Sequence, residues 1–66
     1  MYFNLKAEIF RKGWTLHHFA VLAGLTDAQL SNKISGKTKI TLIEAIRFKE
    51  LLEVDMPLEI LFARAS

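Results

Sequence analysis

The sequence predicts an all-α protein, a compact bundle of five short helices in a single domain over residues 1–66. No segment alternates apolar and polar residues as a half-buried strand would. Only three Gly and one Pro interrupt the chain, and they divide it into segments whose apolar residues recur at helical spacing. The 52% of hydrophobic residues supplies one core, but 66 residues leave little room for a deep catalytic cavity.

The first helix is expected over residues 4–12. Leu5, Ile9 and Phe10 are predicted to share its buried face, and Gly13 is expected to follow the helix in a left-handed conformation.

The second helix is expected to start after Thr15 and to end at Gly24 after about two turns. Its apolar residues fall on one side at helical spacing and are Leu16, Phe19, Ala20 and Ala23. Trp14 is interpreted as a cap over the corner between the first two helices.

Two capping-box patterns predict the next two helices. Thr26 with Gln29 starts a third helix over residues 27–35, which buries Leu30 and Ile34 and stops at Gly36. Thr41 with Glu44 starts a fourth helix over residues 42–52. The apolar stripe expected on the fourth helix is Leu42, Ala45, Phe48, Leu51 and Leu52.

The last helix is expected to be short. Pro57 suits its first turn, and Leu58, Leu61 and Phe62 are predicted to dock it on the core. Residues 63–66 are expected to fray.

Residues 15–36 have the spacing of a helix-turn-helix unit. Ala20 is small where two helices must cross closely, and Gly24 accepts the positive φ of the turn. Leu25 and Leu30 are predicted to pin the second helix of the unit to the core.

With this unit in place, the chain resembles the phage Cro and repressor family of helix-turn-helix domains, also called XRE-type. The resemblance covers nearly the whole chain, and its further pieces are the lead-in KGWT (residues 12–15), LSNKISGK (residues 30–37) and the closing MPLEILF (residues 56–62). It implies a lambda-repressor-like bundle whose third helix enters the DNA major groove, often as a dimer on a two-fold related site. It therefore implies a sequence-specific transcriptional regulator that needs no cofactor.

The resemblance also implies which residues meet DNA. The residues it places on the exposed face of the third helix are Thr26, Asp27, Ala28, Gln29, Ser31 and Asn32. Gln29 and Asn32 carry amides suited to base edges, while Thr26 and Ser31 suit phosphates. The residues expected to contact the DNA backbone independently of sequence are Lys33, Lys37, Thr38 and Lys39.

The distribution of charge agrees with an anionic partner. The net charge is only +2, but residues 28–43 contain three Lys and no acidic residue. Three exposed lysines are often simply solvated, so it is their position in and directly after the third helix that favours a phosphate contact.

An alternative function is binding to a protein. Where the family usually has Gln, this chain has Leu16, and neither Asp27 nor Ala28 is a typical base reader. Several residues outside the core stripes form a candidate protein interface, namely His17, His18, Val21, Ile43, Ile46 and Ile60. Their partner could be another protein, bound by a natural or engineered scaffold, or a second copy of this chain in a homodimer.

Other functional classes have little support. The chain has no Cys, and adjacent helical residues such as His17 and His18 diverge too far to chelate one metal ion. Neither a nucleophile with a placed base nor a phosphate-binding Gly-rich loop is present, so we expect neither an enzyme nor a metal site. With no apolar run long enough to span a bilayer and no leader-like start, a cytoplasmic protein without membrane contact is expected.

Overall fold

The computed structural model describes residues 1–64, and these form five α-helices. The helices are α1 (Phe3–Arg11), α2 (Leu16–Ala23), α3 (Asp27–Ser35), α4 (Leu42–Leu52) and α5 (Leu58–Leu61). The predicted bounds of α3 and α4 are confirmed, whereas α1 begins and ends one residue earlier than expected. No strand occurs within residues 1–64, which confirms the all-α class.

The core draws buried residues from all five helices. Phe19 of α2 and Phe48 of α4 meet edge to face at its centre, with ring centroids 5.3 Å apart. The other buried apolar residues are Leu5, Ile9, Ala20, Ala23, Leu30, Ile34, Ala45, Leu52 and Leu61. Half-buried Trp14 stacks on Phe19 at 6.3 Å and covers the corner between α1 and α2 as the sequence predicted.

Two apolar residues expected in the core are exposed instead. On α1 the buried residues are Leu5, Glu8 and Ile9, and Phe10 points about 100° away from Ile9 around the helix, toward solvent. The centre of its ring lies 5.8 Å from the ammonium of Lys6. Leu42 is 68% exposed although it keeps the spacing of the α4 stripe. Leu42 is the first residue of α4, and its side chain lines an open groove.

The start and the end of the described chain are tied to the bundle. The backbone N–H of Tyr2 donates to the carbonyl of Ile34 at 2.9 Å. The guanidinium of Arg64 lies 5.6 Å from the centre of the Tyr2 ring, and a Cβ placed on Gly36 would lie 2.8 Å from Arg64 Nη2. The predicted fraying of residues 65 and 66 lies outside the described residues.

The end of α4 has an unusual backbone. Glu53 follows the helix with a φ of 54°, the left-handed conformation that usually selects Gly or Asn at this place. Its carboxylate lies 3.6 Å from the ammonium of Lys12, an exposed pair that contributes little to stability.

Within residues 1–64 no helix combines the length and the apolar character that crossing a bilayer requires.

Candidate nucleic-acid interface

The turn between α2 and α3 fixes how these two helices meet. Gly24 adopts a φ of 74°, which a residue with a side chain rarely does, and the N–H of Leu25 then donates back to the carbonyl of Ala20 at 2.9 Å. Ala20 itself is fully buried. Gly24 therefore has the left-handed conformation that the sequence predicts, and Ala20 lies in the core.

The leading end of α3 is closed by the predicted capping box. The hydroxyl of Thr26 accepts from the N–H of Gln29 at 3.1 Å, and the N–H of Thr26 donates to Oε1 of Gln29 at 2.9 Å. The carbonyl oxygen of the Gln29 side chain is thus engaged inside the protein. Its NH₂ group remains to donate outward, so Gln29 can offer a donor to an external partner while its oxygen is already hydrogen-bonded.

Several side chains on the outer face of α3 make no hydrogen bond to the rest of the described chain. Ala28 and Ser31 are exposed, and Asn32 is half-buried. Within residues 1–64, the side chains of Ser31 and Asn32 have no hydrogen-bond partner, whereas the backbone carbonyl of Asn32 accepts from the N–H of Thr38 at 3.2 Å. Asn32 therefore keeps both halves of its amide for an external partner.

Gln29 and Asn32 share one recess. It has a volume of about 310 Å³ between α3, the following loop and the start of α4. The other residues that line it are Leu25, Lys33, Thr38 and Glu44. Amide, hydroxyl and charged groups line the recess beside the outer face of α3, so it offers hydrogen-bond donors and acceptors to a partner.

Lys33 has a partner that sequence reasoning missed. Its ammonium lies 3.1 Å from both carboxylate oxygens of Glu44 and 3.3 Å from the carbonyl of Lys39. The side chain of Lys33 is only 15% exposed. Its charge is therefore largely neutralised within the protein, while Lys37, Thr38 and Lys39 stay exposed.

Glu44 has two roles at the start of α4. Its carboxylate accepts from the N–H of Thr41 at 3.0 Å, and Thr41 Oγ1 accepts in return from the N–H of Glu44 at 3.2 Å. The hydrogen bond from Thr41 is the main reason that the pKa of Glu44 is lowered, and the Lys33 ammonium lowers it further.

His17 and His18 point to different neighbours. Nδ1 of His17 lies 2.7 Å from Oδ1 of Asp27, so a side chain of α2 is joined to the first residue of α3. The ring of His18 instead packs against Trp14 at 5.4 Å. The only sequence signal for the first contact is a donor and an acceptor on either side of the α2–α3 turn, ten residues apart.

The apolar residues of the candidate protein interface lie on the surface of three helices. Val21 of α2, Ile43 and Ile46 of α4, and Ile60 of α5 are all exposed, Ile43 most of all at 76%. They are densest on α4, where Leu42 is exposed beside them.

Two shallow grooves flank this part of α4. Leu42 borders one of about 360 Å³ and Ile46 one of about 490 Å³, and Leu58 lines both. The exposed apolar surface of α4 therefore continues onto α5.

Comparison with protein-family models, with curated proteins and with solved structures found no match to this chain.

Proposed function

We propose that this chain binds duplex DNA sequence-specifically as a transcriptional regulator, with α2 and α3 acting as a helix-turn-helix unit. The observation that carries the proposal is the contrast between the two sides of α3. Leu30 and Ile34 anchor its inner side in the core, and both ends are fixed by Thr26 and Gly36. On its outer side, the polar side chains of Ser31 and Asn32 have no hydrogen-bond partner within residues 1–64.

The dimensions and the chemistry of α3 suit the major groove. An α-helix with its side chains is about 10–12 Å in diameter, and the major groove is about 12 Å wide and admits one such helix. Asn32 can donate to and accept from one adenine, whereas Gln29 can donate to a base acceptor. Lys37, Thr38 and Lys39 follow α3 directly and would contact phosphates.

The test is a binding titration with a labelled pool of random duplex DNA, followed over increasing salt. We expect affinity to fall steeply with salt, because lysine contacts to phosphate release counterions. Repeated selection from the same pool should then enrich one sequence. Absence of binding at low salt would refute the proposal, and binding without any enriched sequence would refute its sequence-specific part.

A second candidate function, association with another protein or with a second copy of the chain, is favoured by the exposed surface of α4. Leu42, Ile43 and Ile46 stand together there, next to the two grooves that share Leu58. Sedimentation at two concentrations, compared between the parent chain and Ile43→Glu, tests self-association. A monomer at both concentrations, with or without DNA, contradicts the homodimer.

A further inference from the structure

The contact between His17 and Asp27 holds an exposed carboxylate at one place on the surface. Both side chains are largely open to solvent, at 72% and 67%, yet Nδ1 and Oδ1 lie only 2.7 Å apart. An ionised carboxylate can only accept, so Nδ1 of His17 carries the proton and donates it. The imidazole therefore restricts the directions in which the carboxylate can point.

The contact leaves half of the carboxylate unused. It engages Oδ1 of Asp27, and within residues 1–64 the second oxygen has no hydrogen-bond donor. Asp27 is not the capping residue of α3, since Thr26 fills that position. The carboxylate therefore does not cap the helix, although its charge in the first turn is favourable to the helix dipole.

Its position matters if α3 enters the major groove. Residues at the leading end of a recognition helix contact base edges, and Asp27 is the first residue of α3. A carboxylate there needs a base that offers a donor without a neighbouring acceptor. Cytosine offers its N4 amino group in this way, whereas adenine places N7 beside N6, and guanine and thymine present acceptors.

We propose that Asp27, oriented by His17, accepts a hydrogen bond from the N4 amino group of a cytosine at one position of the DNA site. The inference rests on the proposed function and adds a base preference to it. His17 is the positioning residue, and the Asp27 carboxylate makes the base contact. The donor from His17 also stabilises the negative charge that Asp27 brings near the phosphates.

The experiment is a site selection from a random duplex pool with the parent chain and with Asp27→Ala. The parent should select cytosine at one position. Asp27→Ala should keep the other selected positions and lose this one, so that an affinity ratio of about tenfold between cytosine and thymine there falls to about one. If Asp27→Ala keeps the cytosine preference, or if the parent shows none, the inference is wrong.

Two variants of His17 test its positioning role. His17→Ala should weaken the cytosine preference, and His17→Asn should restore it, because the amide nitrogen of Asn can take the place of Nδ1. If His17 served only to stabilise the fold, the two variants would show the same cytosine preference once circular dichroism shows that both are folded. Equal loss in both would refute the positioning role.

The same selection experiments distinguish failure of this inference from failure of the proposed DNA binding on which it rests. A parent chain that binds no DNA at low salt refutes both. A parent chain that selects a defined site, none of whose positions depends on Asp27, refutes only the cytosine contact.

Discussion

Lys33 and Glu44 join α3 to α4, the longest of the described helices, with the ammonium 3.1 Å from both carboxylate oxygens. The same carboxylate accepts from the N–H of Thr41 and so closes the start of α4. One side chain thus fixes both the first turn of α4 and its position against α3. The loop with Lys37 and Lys39 runs between these two anchored points.

Removing the charge of Glu44 should lower stability in a pH-dependent way. Glu44→Gln keeps an acceptor for Thr41 but loses the ion pair, so the free energy of unfolding at pH 7 should fall by about 1 kcal/mol. The pKa of Glu44 is lower in the folded chain than its ordinary 4.5. Its contribution is therefore complete above that value and is lost as the pH falls through the lower, folded value.

Urea unfolding of both proteins between pH 7 and pH 2.5 measures this difference. The matched control is Glu50→Gln, an exposed carboxylate on the same helix, which should change stability little at any pH. A gap between the parent and Glu44→Gln that stays constant down to the lowest pH would contradict the account.

The lysines near α3 should differ in their effect on DNA binding. Lys37→Ala should weaken binding to all sequences and reduce the slope of log affinity against log salt by about 1, because exposed Lys37 is free to meet a phosphate. Lys33→Ala should change this slope less, since its charge is already paired. Lys6→Ala on α1 is the control. Equal slopes for Lys33→Ala and Lys37→Ala would show that the Lys33 pair opens on DNA.

Asn32→Ala should relax the preference for one base without loosening the fold. The Asn32 side chain has no hydrogen-bond partner within residues 1–64, so its removal leaves no donor or acceptor of the described chain unpaired. An amide on adenine is worth about 1–3 kcal/mol of discrimination, and that discrimination should disappear at a single position. Comparative titration of single-base variants of the selected site measures it, with Ser35→Ala as the control.

Completing the cap of α2 should stabilise the protein. Thr15 accepts from the N–H of His18 at 3.1 Å, but the His18 ring packs on Trp14 and returns no hydrogen bond to the cap. His18→Glu supplies that bond and a negative charge at the start of the helix, which together are worth about 0.5–1 kcal/mol. Thermal unfolding of the parent, His18→Glu and His18→Ala tests this expectation, with His18→Ala measuring the loss of the Trp14 contact, and a His18→Glu variant no more stable than the parent would disprove it.

Relieving the backbone after α4 should also stabilise the chain. Glu53→Gly allows the φ of 54° without a side-chain clash, and we expect a gain of about 0.5–1 kcal/mol in the free energy of unfolding. Glu53→Gln keeps the clash but loses the pair with Lys12, so it separates the two effects. Chemical unfolding of all three proteins gives the answer, and a loss of stability in Glu53→Gly would refute it.

The helices of this protein could be predicted from local signals. Thr26 with Gln29 and Thr41 with Glu44 marked the starts of α3 and α4, and Gly36 marked the end of α3, because each signal acts within one turn of helix. Leu42 was misplaced because helical spacing gives the direction of a side chain and not whether a neighbour reaches it.

The side-chain pairs of the candidate interface could not be predicted in the same way. The partners of Lys33 and His17 lie on a different helix, eleven and ten residues along the chain. Which groups meet there depends on the angle between helices, and that angle is set by the packing of the whole core. For this reason the sequence assigned Lys33 to DNA and did not predict the contact of Asp27 with His17.

The contact between Tyr2 and Arg64 brings the two ends of the described chain side by side, next to Gly36 at the end of α3. A short peptide could therefore join residues 2 and 64 and close the backbone into a ring. Such a ring restricts the unfolded chain far more than the folded one, so it should raise the melting temperature. The leading end of α3 would be left untouched, because Asp27 lies about 13 Å away along the helix.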